Sequence, residues 1–309
     1  MHHLCTFFFC SLIQNIKVHI ALFTVALIYG ITFSLVKDIM PFYLQGFGFI
    51  VLRVGGAAIL FLGTSLTRPR ESINWKAHGG LILSCSVFGV AANMLMFFKG
   101  LEITTPINGA VLMLATPIFV LILNTFIFKQ QLTFLQLLGI LTACAGAILL
   151  MIGRNFTFST TTMPGDILII LNAISYAIYL VLVKKLLTHY HTLTVSKFTF
   201  LIGFVFILPF GIPELIHSNF NMPTYIIVEI LFIIVCTTFV TYLLNAWAIN
   251  KVGPTLVGAY IYLQPVLAAI IAIILQKDIL TLQKVIATLL IFAGVYITSL
   301  KYKWYKLKA

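Results

Sequence analysis

The stretch from Thr105 to Ile152 recurs as Gly253 to Leu300, and no other feature constrains the chain as much. Pro106 and Pro117 stand eleven residues apart, followed by Lys129, Leu132-Thr133 and Ala145-Gly146. Pro254 and Pro265 are also eleven apart, followed by Lys277, Leu280-Thr281 and Ala293-Gly294, every pair at an offset of 148. Apolar matches such as Ile122 with Ile270 arise readily in a chain this greasy, but two prolines and a lysine in register do not. The chain therefore reads as two related halves, a duplication of the kind that builds membrane proteins around one central site.

Of 309 residues, 61% are hydrophobic and 8% charged, and the mean hydropathy of +1.11 lies outside the soluble globular range. A bilayer core takes about 20 apolar residues per helix. Ten segments of about that length are present, at about 18–36, 41–66, 79–98, 107–128, 132–152, 167–183, 194–212, 224–248, 255–275 and 282–300. The expected fold is all-α, a polytopic membrane protein with ten transmembrane helices as two inverted five-helix repeats. In domain terms, 1–16 is an N-terminal tail, 17–153 the first repeat, 154–166 a polar connection, 167–300 the second repeat and 301–309 a basic tail. The tail 1–16 has no Lys or Arg and no small-residue cleavage site, so it reads as an amphipathic tail or an upstream start rather than a signal peptide.

The net charge of +12 does not point to nucleic acid, because the lysines sit between apolar segments rather than on a soluble surface. They read as a topology signal. With the N-terminus cytoplasmic, thirteen Lys and Arg fall on that side and five on the other, so both termini are expected in the cytoplasm of a bacterial-type plasma membrane. Five segments per half, an odd number, turn the second half upside down relative to the first. The five cysteines show no C-x-x-C spacing and read as small buried hydrophobes. His189 and His191 flank Tyr190 without a third ligand nearby and read as a solvated loop; no metal or cofactor is expected. Tyr302, Trp304 and Tyr305 among the tail lysines suit an anchor to the lipid bilayer.

Pro106 and Pro254 suit the first position of a helix. Pro117 and Pro265, eleven residues further on, fall roughly 16 Å into the bilayer, near its middle. There each removes a hydrogen bond and presses on the carbonyl four residues earlier, of Met113 and Ile261. Such a kink is satisfied by neighbouring helices or opens a cavity. In the sixth segment, Asn172, Ser175, Tyr176 and Tyr179 form one stripe at i, i+3, i+4 and i+7. The eighth adds Thr237, Thr238, Thr241, Tyr242 and Asn245, and the ninth Tyr260 and Gln264. Tyr29, Thr32, Asn93 and Asn108 come from the first half. Groups like these face a bundle interior, where they bond a neighbouring helix or line a cavity. Arg53 is the one Lys or Arg well inside a span; at a cost of roughly 2.5 to 3.5 kcal/mol it calls for a partner or a wet cavity, and it snorkels toward the cytoplasmic face, bonds helix carbonyls or contacts an anionic group of a substrate. No carboxylate stands clearly at mid-depth, with Glu229 near the outer end of the eighth segment and Glu102 in an outer loop.

The segments NMLMFFKGLEITTPINGAVLMLATP and TYLLNAWAINKVGPTLVGAYIYLQP, with Arg53 in FIVLRVGGAAILFL, give the chain its resemblance to the EamA-type transporters of the drug/metabolite transporter superfamily. The resemblance spans about 18–300. It implies a central cavity lined by helices one, three, four, six, eight and nine. The acid usual before the L-T turn is Asp278 in the second half but Gln130 in the first, so its role on the first side does not carry over. The resemblance implies a secondary transporter, an exporter, for a small-molecule substrate, working by alternating access around a midplane cavity. With Arg53 the single formal charge, neutral or zwitterionic cargo such as an amino acid or an amphipathic drug fits better than a strongly anionic one. The alternative is a passive channel or a lipid-handling protein. An enzyme would need paired carboxylates, a His cluster or an activated nucleophile at membrane depth, and the spans offer none.

Overall fold

The computed structural model describes residues 2–40, 42–69, 71–129, 132–151, 160–274 and 281–307, the side chains at 2–15, 33–34, 106–107, 151, 272 and 301–307 excepted. Gln130, Arg154, Lys277 and Asp278 lie outside the described residues. Ten helices follow one another: α1 (His2–Ile39), α2 (Gly46–Leu66), α3 (Trp75–Ile103), α4 (Pro106–Met113 and Thr116–Phe128), α5 (Phe134–Met151), α6 (Met163–Leu187), α7 (Thr192–Ile216), α8 (Thr224–Val252), α9 (Pro254–Ala259, Tyr260–Tyr262 and Leu263–Ile274) and α10 (Leu282–Leu307). Among the described residues nine are long and apolar enough to cross a bilayer, and α5 is a shorter apolar helix. The architecture is the expected all-α pair of inverted five-helix repeats. α1 runs unbroken from His2, so the stretch before residue 17 extends the first helix rather than forming a separate element.

The duplicated prolines act where their chemistry dictates. Thr105 caps α4, its Oγ1 accepting from the Asn108 N–H at 3.1 Å, with Pro106 in the first turn. Gly253, at φ +79°, makes the corresponding entry into α9. Without an N–H at Pro117 the ladder of α4 opens one turn earlier, where Leu114 and Ala115 bond to Val111 and Leu112 at 3.0 and 3.1 Å before the helix resumes at Thr116. In α9 the same tightening is a 3₁₀ turn at Tyr260–Tyr262.

A second duplicated irregularity has no proline behind it. α3 contains a π-helical turn at Val87–Ala91 and α8 one at Ile233–Val240; the offset of 148 carries the first onto residues 235–239, inside the second.

Two repeat-related pairs of helices pack on each other. In α2 with α7, Gly48 and Gly211 bring backbones together, and the Glu214 carboxylate accepts from the N–H groups of Phe47 and Gly48 at 2.6 and 3.0 Å. That places a negative charge on the N-terminus of α2. In α5 with α10, Gly139 lies against Gly294 and Thr298, and Gly146 against Ala287 and Ile291. Small residues are what allow such approach in lipid. The buried apolar side chains form two cores. One is built mainly from α2, α3, α6, α7 and α8, the other mainly from α4, α5, α9 and α10; α1 contributes Leu22 to the first and Ala26 to the second.

Candidate substrate cavity

Where the two cores meet, α1, α6, α8 and α9 leave about 290 Å³ of space, part of it continuous with solvent. Most of that volume is shared with solvent, and the part the protein encloses has room for about one water molecule, so the space is nearly closed in this structure. Its polar lining is Tyr29, Tyr176, Asn245, Tyr260 and Gln264, and its apolar lining includes Leu22, Val25, Leu180 and Val257. Ile261, whose carbonyl Pro265 displaces from the ladder, lines it too. Leu22, Leu180 and Val257 belong to one core and Ala26 to the other, while Tyr260 packs on both. Tyr29 and Tyr176 fall about halfway along the membrane spans Ile16–Ile39 and Met163–Leu187. Among the described residues Tyr176, Asn245 and Gln264 have no side-chain hydrogen-bond partner in the protein.

The stripe on α6 divides between two surroundings. Tyr176 faces the cavity, but Asn172 Nδ2 donates to the Asn93 carbonyl at 2.6 Å, Asn93 Nδ2 returns a bond to the Asn172 carbonyl at 3.4 Å, and Ser175 Oγ donates to the Phe88 carbonyl at 2.8 Å. Tyr179 is buried over Gly89, its ring stacked 5.9 Å from Tyr176. Tyr242 Oη donates to the Gly89 carbonyl at 3.0 Å. Ser175 and Tyr242 thus serve two carbonyls of the π-helical turn in α3, whose altered ladder leaves them available.

A polar chain runs from the cavity toward α2. Thr241 Oγ1 donates to the Thr237 carbonyl at 2.5 Å and lies 3.4 Å from Tyr29 Oη, Thr32 and Thr237 share a hydrogen bond of 2.7 Å, and Arg53 Nε donates to Thr238 Oγ1 at 2.7 Å. Thr238 in turn donates to the Ile233 carbonyl at 2.9 Å, inside the π-helical turn of α8. Arg53 therefore rests on a side-chain hydroxyl rather than reaching for the membrane surface, and no other partner for it is found among the described residues. Helices three and four, expected at the cavity, do not line it in this structure. Asn93 is engaged with α6, and Asn108 donates from Nδ2 to Asp166 at 3.3 Å.

Three features escaped the sequence reading. Asp166 is a buried carboxylate that accepts from Thr104 and Asn108 at the N-terminus of α6; its place in the first turn after Pro164-Gly165 was the available signal. The loop at His189–His191 is not simply solvated. His189 stacks on His78 at 4.7 Å, Tyr190 Oη lies 2.8 Å from His78 Nδ1, Arg68 Nη1 lies 3.0 Å from His191 Nε2, and the His191 N–H donates to Glu71. These bonds tie the α2–α3 and α6–α7 connections together. Third, His19 Nδ1 lies 2.6 Å from Tyr260 Oη at the edge of the cavity. Of the acids singled out, Glu102 ends α3 and pairs with Lys99 at 2.8 Å, and Glu229 Oε2 is buried without a hydrogen-bond partner among the described residues.

Nine membrane-length helices and a shorter apolar one among the described residues, arranged as inverted repeats around a partly polar space, define a membrane transporter. The chain belongs to the EamA-like transporter family, which matches residues 16–152 and again 163–300. An uncharacterized transporter of Archaeoglobus fulgidus is 27% identical over 294 residues, 93% of this chain and 99% of its own length. A probable amino-acid metabolite efflux pump of Escherichia coli is 25% identical over 295 residues, 91% of this chain and 94% of the pump. A solved crystal structure at 16% identity shares the fold with a TM-score of 0.77, covering 95% of this chain and 99% of its own.

Proposed function

We propose that the protein is a secondary transporter that exports a small neutral or zwitterionic metabolite, of the amino acid or amphipathic drug class, by alternating access around the cavity between α1, α6, α8 and α9. The observation that carries this reading is the set of polar groups with no partner among the described residues, Tyr176, Asn245 and Gln264, in a space bounded by apolar side chains. Asn245 is buried and Tyr176 and Gln264 are half-buried, and polar groups left open at a seam between two cores suit a solute that supplies the missing bonds. No lining residue carries a formal charge, which disfavours strongly anionic cargo. Arg53, bound through Nε alone among the described residues, offers a cation within the same polar chain for the carboxylate of a zwitterion. The Escherichia coli relative, a probable amino-acid metabolite efflux pump, supports both the amino acid class and the outward direction. The thirteen-to-five distribution of Lys and Arg supports both chain ends in the cytoplasm of a bacterial plasma membrane.

The test is counterflow of radiolabelled neutral L-amino acids into proteoliposomes that hold the purified chain. Saturable, competable exchange that falls at least tenfold in Tyr176→Ala and Asn245→Ala is expected. Flux that rises linearly with concentration would instead support a channel.

A further inference from the structure

Resting on the transport reading above, we propose that His19 is a positioning residue that sets which way the Tyr260 hydroxyl hydrogen points, and so makes substrate recognition depend on pH. His19 lies one turn of α1 before Leu22, the first residue of the cavity lining. Its Nδ1 is 2.6 Å from Tyr260 Oη, with the rings 6.0 Å apart. Tyr260 lines the cavity and opens the 3₁₀ turn ahead of Pro265, and its ring packs on both cores. The bond therefore ties α1 to a side chain at the seam along which alternating access would part the molecule.

The chemistry follows from what each atom can do. With Nδ1 unprotonated, Tyr260 donates its hydrogen to the imidazole, and its oxygen presents only lone pairs to the cavity. When Nδ1 takes a proton from solvent, the new N–H donates to the Tyr260 oxygen and the hydroxyl hydrogen turns toward the cavity. Tyr260 then becomes a donor for a carbonyl or carboxylate of the cargo. One proton is taken up and held on His19, and nothing is oxidised or reduced. Histidine is the side chain whose ordinary range, near about 6.5, makes this exchange available at physiological pH.

The other titratable groups around the cavity are Tyr29 on α1 and Tyr176 on α6. Cations at the same end include Lys17 on α1, Lys129 after α4, Lys184 and Lys185 on α6 and Lys251 on α8. Glu71 at that end is bonded to the His191 N–H. Asp38, Glu102, Asp166, Glu214 and Glu229 sit at the opposite ends of their helices, and Asp278 lies outside the described residues.

The test compares parent, His19→Gln, His19→Asn and Tyr260→Phe chains in proteoliposomes at equal pH on both sides, from about 5.5 to about 8. The probes are radiolabelled L-threonine, L-leucine and L-phenylalanine in counterflow. The parent KM is expected to rise about twofold to tenfold with pH, the worth of one hydrogen bond, while kcat moves less. In His19→Gln, His19→Asn and Tyr260→Phe the profile is expected to be flat. A flat parent profile, or the parent slope persisting in His19→Gln, overturns the proposal. A second arm needs no cargo: nitrogen NMR of histidine-labelled protein in detergent, with the His19 signal assigned by its loss in His19→Gln. Its titration midpoint is expected to move in Tyr260→Phe, and an unmoved midpoint overturns the proposal whatever is transported. A moved midpoint in a protein that carries none of the three amino acids supports the His19–Tyr260 coupling and counts against the cargo class alone.

Discussion

Asn172 and Tyr176 lie one turn apart on α6 and meet different surroundings, so truncating each tests a different thing. Asn172→Ala strands the Asn93 carbonyl that now accepts at 2.6 Å. An unsatisfied buried acceptor costs about 1 to 3 kcal/mol, so the variant is expected to lower the midpoint of thermal unfolding in detergent while leaving the KM of the inserted protein within about twofold. Tyr176→Ala removes a cavity wall with no hydrogen-bond partner among the described residues and is expected to raise KM at least tenfold with a smaller change in thermal midpoint. The opposite assignment of the two effects would show that Asn172, not Tyr176, meets the cargo. Arg53 makes a third case. Arg53→Gln keeps a donor for Thr238 but discards the charge, so it should alter the ratio of zwitterionic to uncharged cargo transported. An unchanged ratio in competition assays would reduce the guanidinium to a strut between α2 and α8.

At the scale of elements, the repeat explains why certain residues had to be what they are. Gly146 and Gly294 are equivalent under the offset of 148; the first lies against Ala287 and Ile291 of α10, the second against the backbone of Gly139 and Ala143 in α5. Gly294→Val pushes a branched side chain into that backbone. Overpacking of this kind costs about 1 to 3 kcal/mol, so a lower thermal midpoint is expected; an unchanged one would mean that α5 and α10 slide freely. Such features were legible because residue type encodes them. Pro117 and Pro265 mark where α4 and α9 break because the missing N–H belongs to proline itself. The π-helical turns were not legible: Val87–Ala91 reads VFGVA, ordinary apolar sequence. The carbonyls there are served by Ser175 and Tyr242, on partners 87 and 153 positions away. The division of the α6 stripe was hidden for the same reason, since the pattern tells which residues share a face but not how that face is turned against α3 and the cavity. His19 was hidden differently, a single histidine at the start of an apolar run whose meaning comes only from Tyr260, 241 positions on.

At the scale of the molecule, duplication and inversion account for how the helices sort. α2 packs on α7 and α5 on α10, each on its own counterpart in the other repeat, so both cores contain helices from both halves. The halves are thus interlocked rather than side by side, and relative movement has to occur along the seam between cores, where the cavity lies. The inversion also fixes which connections share a face. The α2–α3 and α6–α7 connections, joined through His78, His189 and Tyr190, fall on the side of Lys17, and the α7–α8 connection falls opposite. If the excess of Lys and Arg on the Lys17 side sets the orientation, that side is cytoplasmic. Ser72 and Asn221 are exposed in connections on the two faces and give a direct measurement. In intact cells a membrane-impermeant maleimide is expected to label Asn221→Cys, and to label Ser72→Cys only after permeabilisation. The reverse pattern would put the His19 end of the cavity outside the cell, and the pH sensed by the His19–Tyr260 pair would then be that of the exterior.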